Sequence, residues 1–174
     1  MEPLDYYAES ARRLSSVDFS RKLPHLFLLK RPRAGTMASG PITFRTQALS
    51  TTQDGLINDA GPFADGYWVW PLKKRPENPF PERVSMGRAP NCDVVFRLSY
   101  VSKLHAHVML GAGGPRIVDQ GSANGTRVNG MPLKPQVERP LVSGSKLELG
   151  AIELTVLDAA GFYDMLRREI LPNE

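Results

Sequence analysis

The sequence holds one cysteine, Cys92. A lone thiol rules out a disulfide within the chain and leaves no thiol cluster for zinc, which fits a reducing compartment. No stretch approaches the ~18 consecutive apolar residues that a membrane span needs. Glu2 and Asp5 stand near the N-terminus with no apolar core behind them, so no signal peptide is expected and the expected location is cytoplasmic. A net charge of +4 favours an acidic partner only weakly and is too small to nominate nucleic acid. There is no internal repeat and no low-complexity tract. What remains is an ordinary globular composition, 41% hydrophobic and 23% charged over 174 residues, with enough Gly and Pro (15 each) to favour many turns over long helices.

Along the chain, Leu4, Tyr7, Ala8, Ala11 and Leu14 recur at helical spacing and predict a short amphipathic helix. Leu26 to Leu29 is a compact apolar run suited to a buried strand, and Ile42, Phe44, Thr46 and Ala48 alternate as a strand does. Ser50 to Gly66 reads as a long polar loop. Tyr67 to Trp70 is expected to be the first strand of the main domain. Four prolines between Pro71 and Pro81 argue against a ladder strand there, and Lys73-Lys74-Arg75 marks an exposed basic connection. Short alternating runs then follow at close intervals: Val84 and Met86; Val94 to Phe96; Leu104, Ala106, Val108 and Leu110; Ile117 and Val118; Leu147 and Leu149; Ile152, Leu154 and Val156. Asn129-Gly130 is a two-residue hairpin signal. This density of short strands predicts an all-β sandwich or barrel. Asp158 is placed to cap a final helix bearing Phe162, Leu166 and Ile170 on one face.

Several residues with binding chemistry fall at strand ends or in loops. The planar fork of Arg88 suits a phosphate, and Gly87 lets the backbone bend beside it. Ser102 adds a hydroxyl, Lys103 a second cation, and Asn124 a carboxamide able to grip a peptide main chain. Gly125 and Thr126 would fix the turn that presents Asn124. A phosphothreonine, with a charge of about −1.5 to −2 and three acceptor oxygens, matches such a receptor. Strand counting alone does not bring these loops together, because one regular strand over Val94 to Phe96 would put Arg88 and Ser102 at opposite ends.

Taken together, Gly87-Arg88, Ser102 with His105, Asp119 through Thr126, Asn129-Gly130 and Leu149-Gly150 resemble the pattern of the forkhead-associated (FHA) domain, a phosphothreonine-binding sandwich. The resemblance covers roughly residues 67 to 157. It implies an FHA-like β-sandwich of antiparallel strands with short N- and C-terminal helices. The expected division is an extension over 1–60, the sandwich over 61–158 and a C-terminal helix over 159–174. It implies that Arg88 and Ser102 bind phosphate, that Lys103 makes a second contact and that Asn124 holds the peptide main chain. His105 would support the Ser102 loop, and Asn129 would be structural. Two positions depart from the family pattern. Ala123 stands where some members carry a further hydroxyl donor, and Ser145 where an aspartate commonly follows the Gly144 turn.

The implied partner is a phosphothreonine-containing protein, a Ser/Thr kinase or its substrate, with no cofactor, metal, membrane or nucleic acid required. A phosphate-independent assembly domain on the same scaffold is the rival, and Ala123 is its support. Ser102, His105 and Asp119 invite a hydrolytic triad, but no nucleophile-elbow sequence surrounds Ser102. His105 and His107 alone make a poor metal site, and no enzymatic activity is expected. Thr51-Thr52 in the polar loop is a candidate phosphorylation site whose product could occupy the same domain.

Overall fold

The run Leu26-Phe27-Leu28-Leu29 has no polar position because the strand it forms is covered on both faces. In the computed structural model, which describes residues 4–24, 26–32 and 66–171, strand β1 (Leu26–Lys30) lies between β2 (Trp68–Pro71) and β11 (Ile152–Asp158), antiparallel to both. Leu26 and Leu28 enter the core of the sandwich, while Phe27 and Leu29 enter a second cluster beneath a helical layer. The sandwich expected over 61–158 therefore includes a strand supplied by residues 26–30, and Tyr67 to Trp70 leads into an edge strand rather than the first. The strand expected over Ile42 to Ala48, most of the loop from Ser50 to Gly66, and Thr51-Thr52 lie outside the described residues.

The sheet containing β1 has six strands in the order β2-β1-β11-β10-β7-β8, with β10 (Lys146–Leu149), β7 (Thr126–Val128) and β8 (Met131–Pro132) completing it. The facing sheet has five in the order β4-β3-β5-β6-β9, formed by β4 (Val94–Val95), β3 (Arg83–Gly87), β5 (Ala106–Met109), β6 (Arg116–Asp119) and β9 (Glu138–Pro140). The alternation read from sequence is what fills the space between them. Val84, Met86, Val108 and Ile117 meet Leu147, Leu149, Leu154 and Val156, all buried. Each such side chain contributes roughly 1.5–3 kcal/mol of transfer free energy. Trp70 packs on Phe96 with ring centroids 4.9 Å apart and closes the side of the sandwich where β2 and β4 are edges. The Asn129-Gly130 turn joins β7 to β8, both residues at positive φ (51° and 77°).

The alternation from Leu104 to Leu110 overstates β5, which spans only Ala106–Met109; Leu104 and Leu110 are exposed. At Leu104 the chain is already committed to the preceding turn, and His105 N–H donates to Met86 O at 2.8 Å as the strand begins.

The outer face of the six-stranded sheet is covered by α1 (Leu4–Arg13), α2 (Ser16–Lys22) and α3 (Ala159–Met165), which continues into a π-helical turn over Leu166–Ile170. Asp158 caps α3, its carboxylate accepting from Gly161 N–H at 2.7 Å. The helices from the two ends pack together: Phe162 stacks on Phe27 (4.4 Å) and meets Tyr7 edge-on (5.2 Å). Glu169 in the π turn accepts from Arg31 Nε (3.1 Å) and Nη2 (2.8 Å) and from the Tyr67 hydroxyl (3.0 Å). Burial and the bond to Glu169 push the Tyr67 phenol up to about 12. Arg31 leaves β1 and Tyr67 enters β2, so one carboxylate fastens both ends of the connection between those strands. Among the described residues no helix is long and apolar enough to cross a membrane.

The proline-rich stretch after β2 forms no strand, as its missing amide donors require, but it is anchored. Asp93 accepts from Arg75 N–H (2.7 Å), Asn78 Nδ2 (2.6 Å) and both the N–H and hydroxyl of Ser85 (2.7 Å each). These bonds outweigh desolvation and hold its carboxyl below the ordinary range. The Arg75 guanidinium donates to Pro90 O, so the basic triplet is tied to the loop that follows Arg88.

Candidate functional site

The direction of β4 decides whether Arg88 and Ser102 can act together. β4 runs parallel to β3, with Met86 opposite Val94 and Gly87 opposite Val95. Residues 88–93 leave the end of β3, double back alongside it and re-enter in the same direction. The ends of β3 and β4 therefore lie at one pole. Arg88 N–H donates to Ser102 O (2.9 Å), Ala89 N–H to Lys103 O (3.1 Å) and Phe96 N–H to Gly87 O (2.9 Å). Gly87 is required by this contact, because a Cβ there would collide with Lys103 O.

The third loop, between β6 and β7, is organised by Asp119, a carboxylate only 1% exposed. Its Oδ1 accepts from Gly121 N–H (2.8 Å) and Ser122 N–H (2.9 Å), and its Oδ2 from the hydroxyls of Ser122 and Thr126 (2.6 Å each). Although burial opposes the charge, these bonds from Ser122, Thr126 and Gly121 hold the carboxyl below its usual value. The loop so fixed brings Ala123 N–H to Ser102 Oγ (3.0 Å) and Asn124 Nδ2 to Tyr100 O (2.9 Å).

Because Ser102 Oγ accepts from Ala123 N–H, its own proton stays available to a ligand. Ala123 lacks a hydroxyl but fixes the hydroxyl of its neighbour. Asn124 spends one amide hydrogen on Tyr100 and keeps its second hydrogen and its carbonyl oxygen on the exposed surface. The Arg88 side chain is half-buried, its Nε is buried with no hydrogen-bond partner, and no ion pair to it exists among the described residues. Lys103 is exposed beside it.

His105 is fully buried beneath these loops. Its Nδ1 accepts from Ser102 N–H (3.1 Å), so Nε2 carries the proton and donates to Gly125 O (3.1 Å). Gly125, at φ 75°, also accepts from Gly150 N–H (3.0 Å). Both ring nitrogens are thus spent on the backbone, neither reaches Ser102 Oγ, and Asp119 bonds elsewhere. The triad geometry is not assembled. Among the described residues there is also no group of three or more potential metal ligands.

Burial lowers the proton affinity of His105, and burial together with Arg83 lowers that of His107, both from an ordinary 6.5. An unfolded chain would protonate these rings first, so stability present above pH 6.5 is lost as pH falls towards their folded-state values. Asp93 and Asp119 have the opposite charge type but are also depressed. Their contribution persists until pH falls below the ordinary 3.8 and through their lower folded values. Thermal melts across a pH series should show a flat region above pH 7, a first decline below about 6.5 and a second, steeper one below about 4.

Arg88, Ser102, Lys103 and Asn124 are therefore gathered at one pole, with Gly87, His105, Gly125 and Thr126 beneath them. Asn129 is not among them. It sits at the other end of β7, where it exchanges bonds with Lys146 (N–H to O and Oδ1 from N–H, 2.8 Å each). Ser145 is also remote, and its hydroxyl accepts from Val142 N–H (3.2 Å) within its own turn. Residue chemistry missed Tyr100, which serves through its carbonyl and leaves no side-chain signal. It also missed the loop over 133–137, where Gln136 N–H donates to Asp119 O (2.9 Å).

The FHA domain family matches residues 84–150, the segment that carries all of these loops. The chain contains an FHA domain. Over 73 residues it is 37% identical to the glycogen accumulation regulator GarA of Mycolicibacterium smegmatis, covering 42% of this chain and 44% of that protein. It thus spans less than half of that relative's length. A longer alignment, 28% identical over 127 residues, covers 67% of this chain and 86% of an oxoglutarate dehydrogenase inhibitor of Corynebacterium jeikeium. Among solved structures, the N-terminal FHA domain of S. cerevisiae Rad53 in complex with a phosphothreonine peptide is 22% identical, with a TM-score of 0.44, covering 55% of this chain and 88% of that one. In the FHA domain described here, the family match begins at β3 and ends at Gly150, so β1, β2, β11 and the helical layer lie beyond it.

Proposed function

We propose that this FHA domain binds phosphothreonine on a partner protein and serves as a non-catalytic adaptor in Ser/Thr-kinase signalling in the cytoplasm, the partner being a kinase or its substrate. The observation that carries this reading is the convergence at one pole of a guanidinium with no ion pair among the described residues, a hydroxyl that still has its proton to donate, and an exposed carboxamide. Arg88 supplies the fixed charge, Ser102 a neutral donor to phosphate oxygen, and Lys103 a mobile second cation. Asn124, held by Tyr100, offers both a donor and an acceptor to the main chain beside the phosphoresidue. All these groups stand on loops pinned by His105 and Asp119, so little ordering is left for the moment of binding. That two relatives are a regulator and an inhibitor by name fits a module that works by binding.

The test is a titration of the full chain with a synthetic phosphothreonine peptide library and its unphosphorylated counterpart. Saturable binding of the phosphorylated set alone is expected. Equal binding of both sets would instead favour assembly that ignores phosphate.

A further inference from the structure

The loops that surround the site differ in charge from the rest of the surface. They comprise residues 88–93, 96–105, 120–125, 133–137 and 150–151. Their basic side chains are Arg88, Arg97, Lys103 and Lys134, and the one carboxylate in these loops, Asp93, is held by its own hydrogen bonds. Several nearby acids already have partners. Asp93 and Asp119 are consumed by the hydrogen bonds above, Glu138 lies 3.7 Å from Arg116, and Glu148 pairs with Arg127 at 3.4 Å. None of the four cations has an ion pair among the described residues.

Their placement follows from topology. Arg97 is exposed just beyond β4, the edge strand on one side of the five-stranded sheet. Lys134 is exposed in the loop between β8 and β9, the edge strands on the opposite side. The bond from Gln136 N–H to Asp119 O, at a residue held at φ 62°, fixes that loop against the one carrying Asn124. A chain laid across the pole through Arg88, Ser102 and Asn124 therefore passes between a cation on each flank.

From this charge distribution we infer that the site selects phosphothreonine ligands with carboxylates on both sides of the phosphoresidue. Lys134 reads the side towards Asn124, and Arg97 reads the side beyond Arg88. The inference rests on the phosphothreonine reading and adds the ligand class. With no uncommitted carboxylate in these loops to repel them, Asp and Glu side chains of the ligand meet a net positive field.

The experiment uses the full chain and synthetic phosphothreonine peptides that differ only in carrying Asp or the isosteric Asn at the flanking positions. Each well-placed carboxylate should tighten binding about two- to five-fold at low salt, and the advantage should shrink as ionic strength rises. Lys134→Gln should erase the Asp preference on one flank only, and Arg97→Gln on the other. Both side chains are exposed and make no hydrogen bond within the described residues, so these variants keep the fold. Equal affinity for Asp and Asn peptides overturns the inference while leaving phosphothreonine binding in place, as would a preference that survives both substitutions. Absence of binding by every phosphothreonine peptide would remove the underlying reading as well.

Discussion

Replacing Arg88 with alanine should leave a folded protein that no longer captures a phosphothreonine peptide. The substitution removes the guanidinium that stands between the Ser102 loop and the turn after β3. It keeps the Arg88 N–H bond to Ser102 O, which is backbone and independent of the side chain. It also relieves a buried Nε that has no partner, so the unfolding midpoint should stay close to the parent's. A lost charge-assisted, two-pronged contact to phosphate costs about 2–4 kcal/mol, a fall in affinity of roughly 30- to 1000-fold. Arg88→Lys should recover only part of this, since an ammonium restores charge without the planar fork. Calorimetric titration beside a thermal melt separates the effects. Undiminished affinity in a well-folded Arg88→Ala protein would place the phosphate elsewhere.

Asp119→Ala should produce the opposite pattern, a loss of stability first and of binding as its consequence. Four donors converge on this buried carboxylate, and alanine leaves the Thr126 hydroxyl, itself 1% exposed, with no acceptor there. Stranding buried donors costs about 1–3 kcal/mol each when water cannot reach them. Because the exposed Gly121 N–H can turn to solvent, the expected total is about 3–4 kcal/mol. For a chain of this size that lowers the melting midpoint by roughly 10 °C. The bonds from Ala123 to Ser102 and from Asn124 to Tyr100 depend on the loop's shape, so peptide affinity should fall too. Asp119→Asn, which retains one acceptor oxygen, should sit between the two. A melting midpoint within a degree of the parent's would mean that the loop is held by something other than this carboxylate.

Much of this architecture was legible in the residues. The alternation at Val84 and Met86 and from Ile152 to Val156, the Asn129-Gly130 turn and the Asp158 cap each follow from local chemistry, and each is present. Three features were not legible, for different physical reasons. β1 reads as an unbroken apolar run because a helical layer covers the outer face that would otherwise demand polar residues, and local periodicity cannot say what will cover a strand. β4 reads as an ordinary strand, but a period of two carries no direction, and its parallel pairing with β3 is what unites Arg88 with Ser102. Counting strands gave the wrong geometry at that point, and the resemblance of the motifs to the FHA pattern pointed the right way. The third feature is support from backbone atoms: Tyr100 O, Ala123 N–H and Gly125 O position the site without any side-chain identity to betray them. The candidate residues themselves were readable because charge, hydroxyl and carboxamide are side-chain properties.

The span recognised by family and the span that must be expressed together are not the same. A fragment trimmed to residues 84–150 would lose β11, whose hydrogen bonds complete β10, together with the strands beyond it. Leu147 and Leu149 would then line an open ribbon edge, ready to recruit another copy. Excised at its homology limits, the module should come out of the cell as aggregate, whereas a fragment running from the first helix through the π turn should behave as one cooperative body.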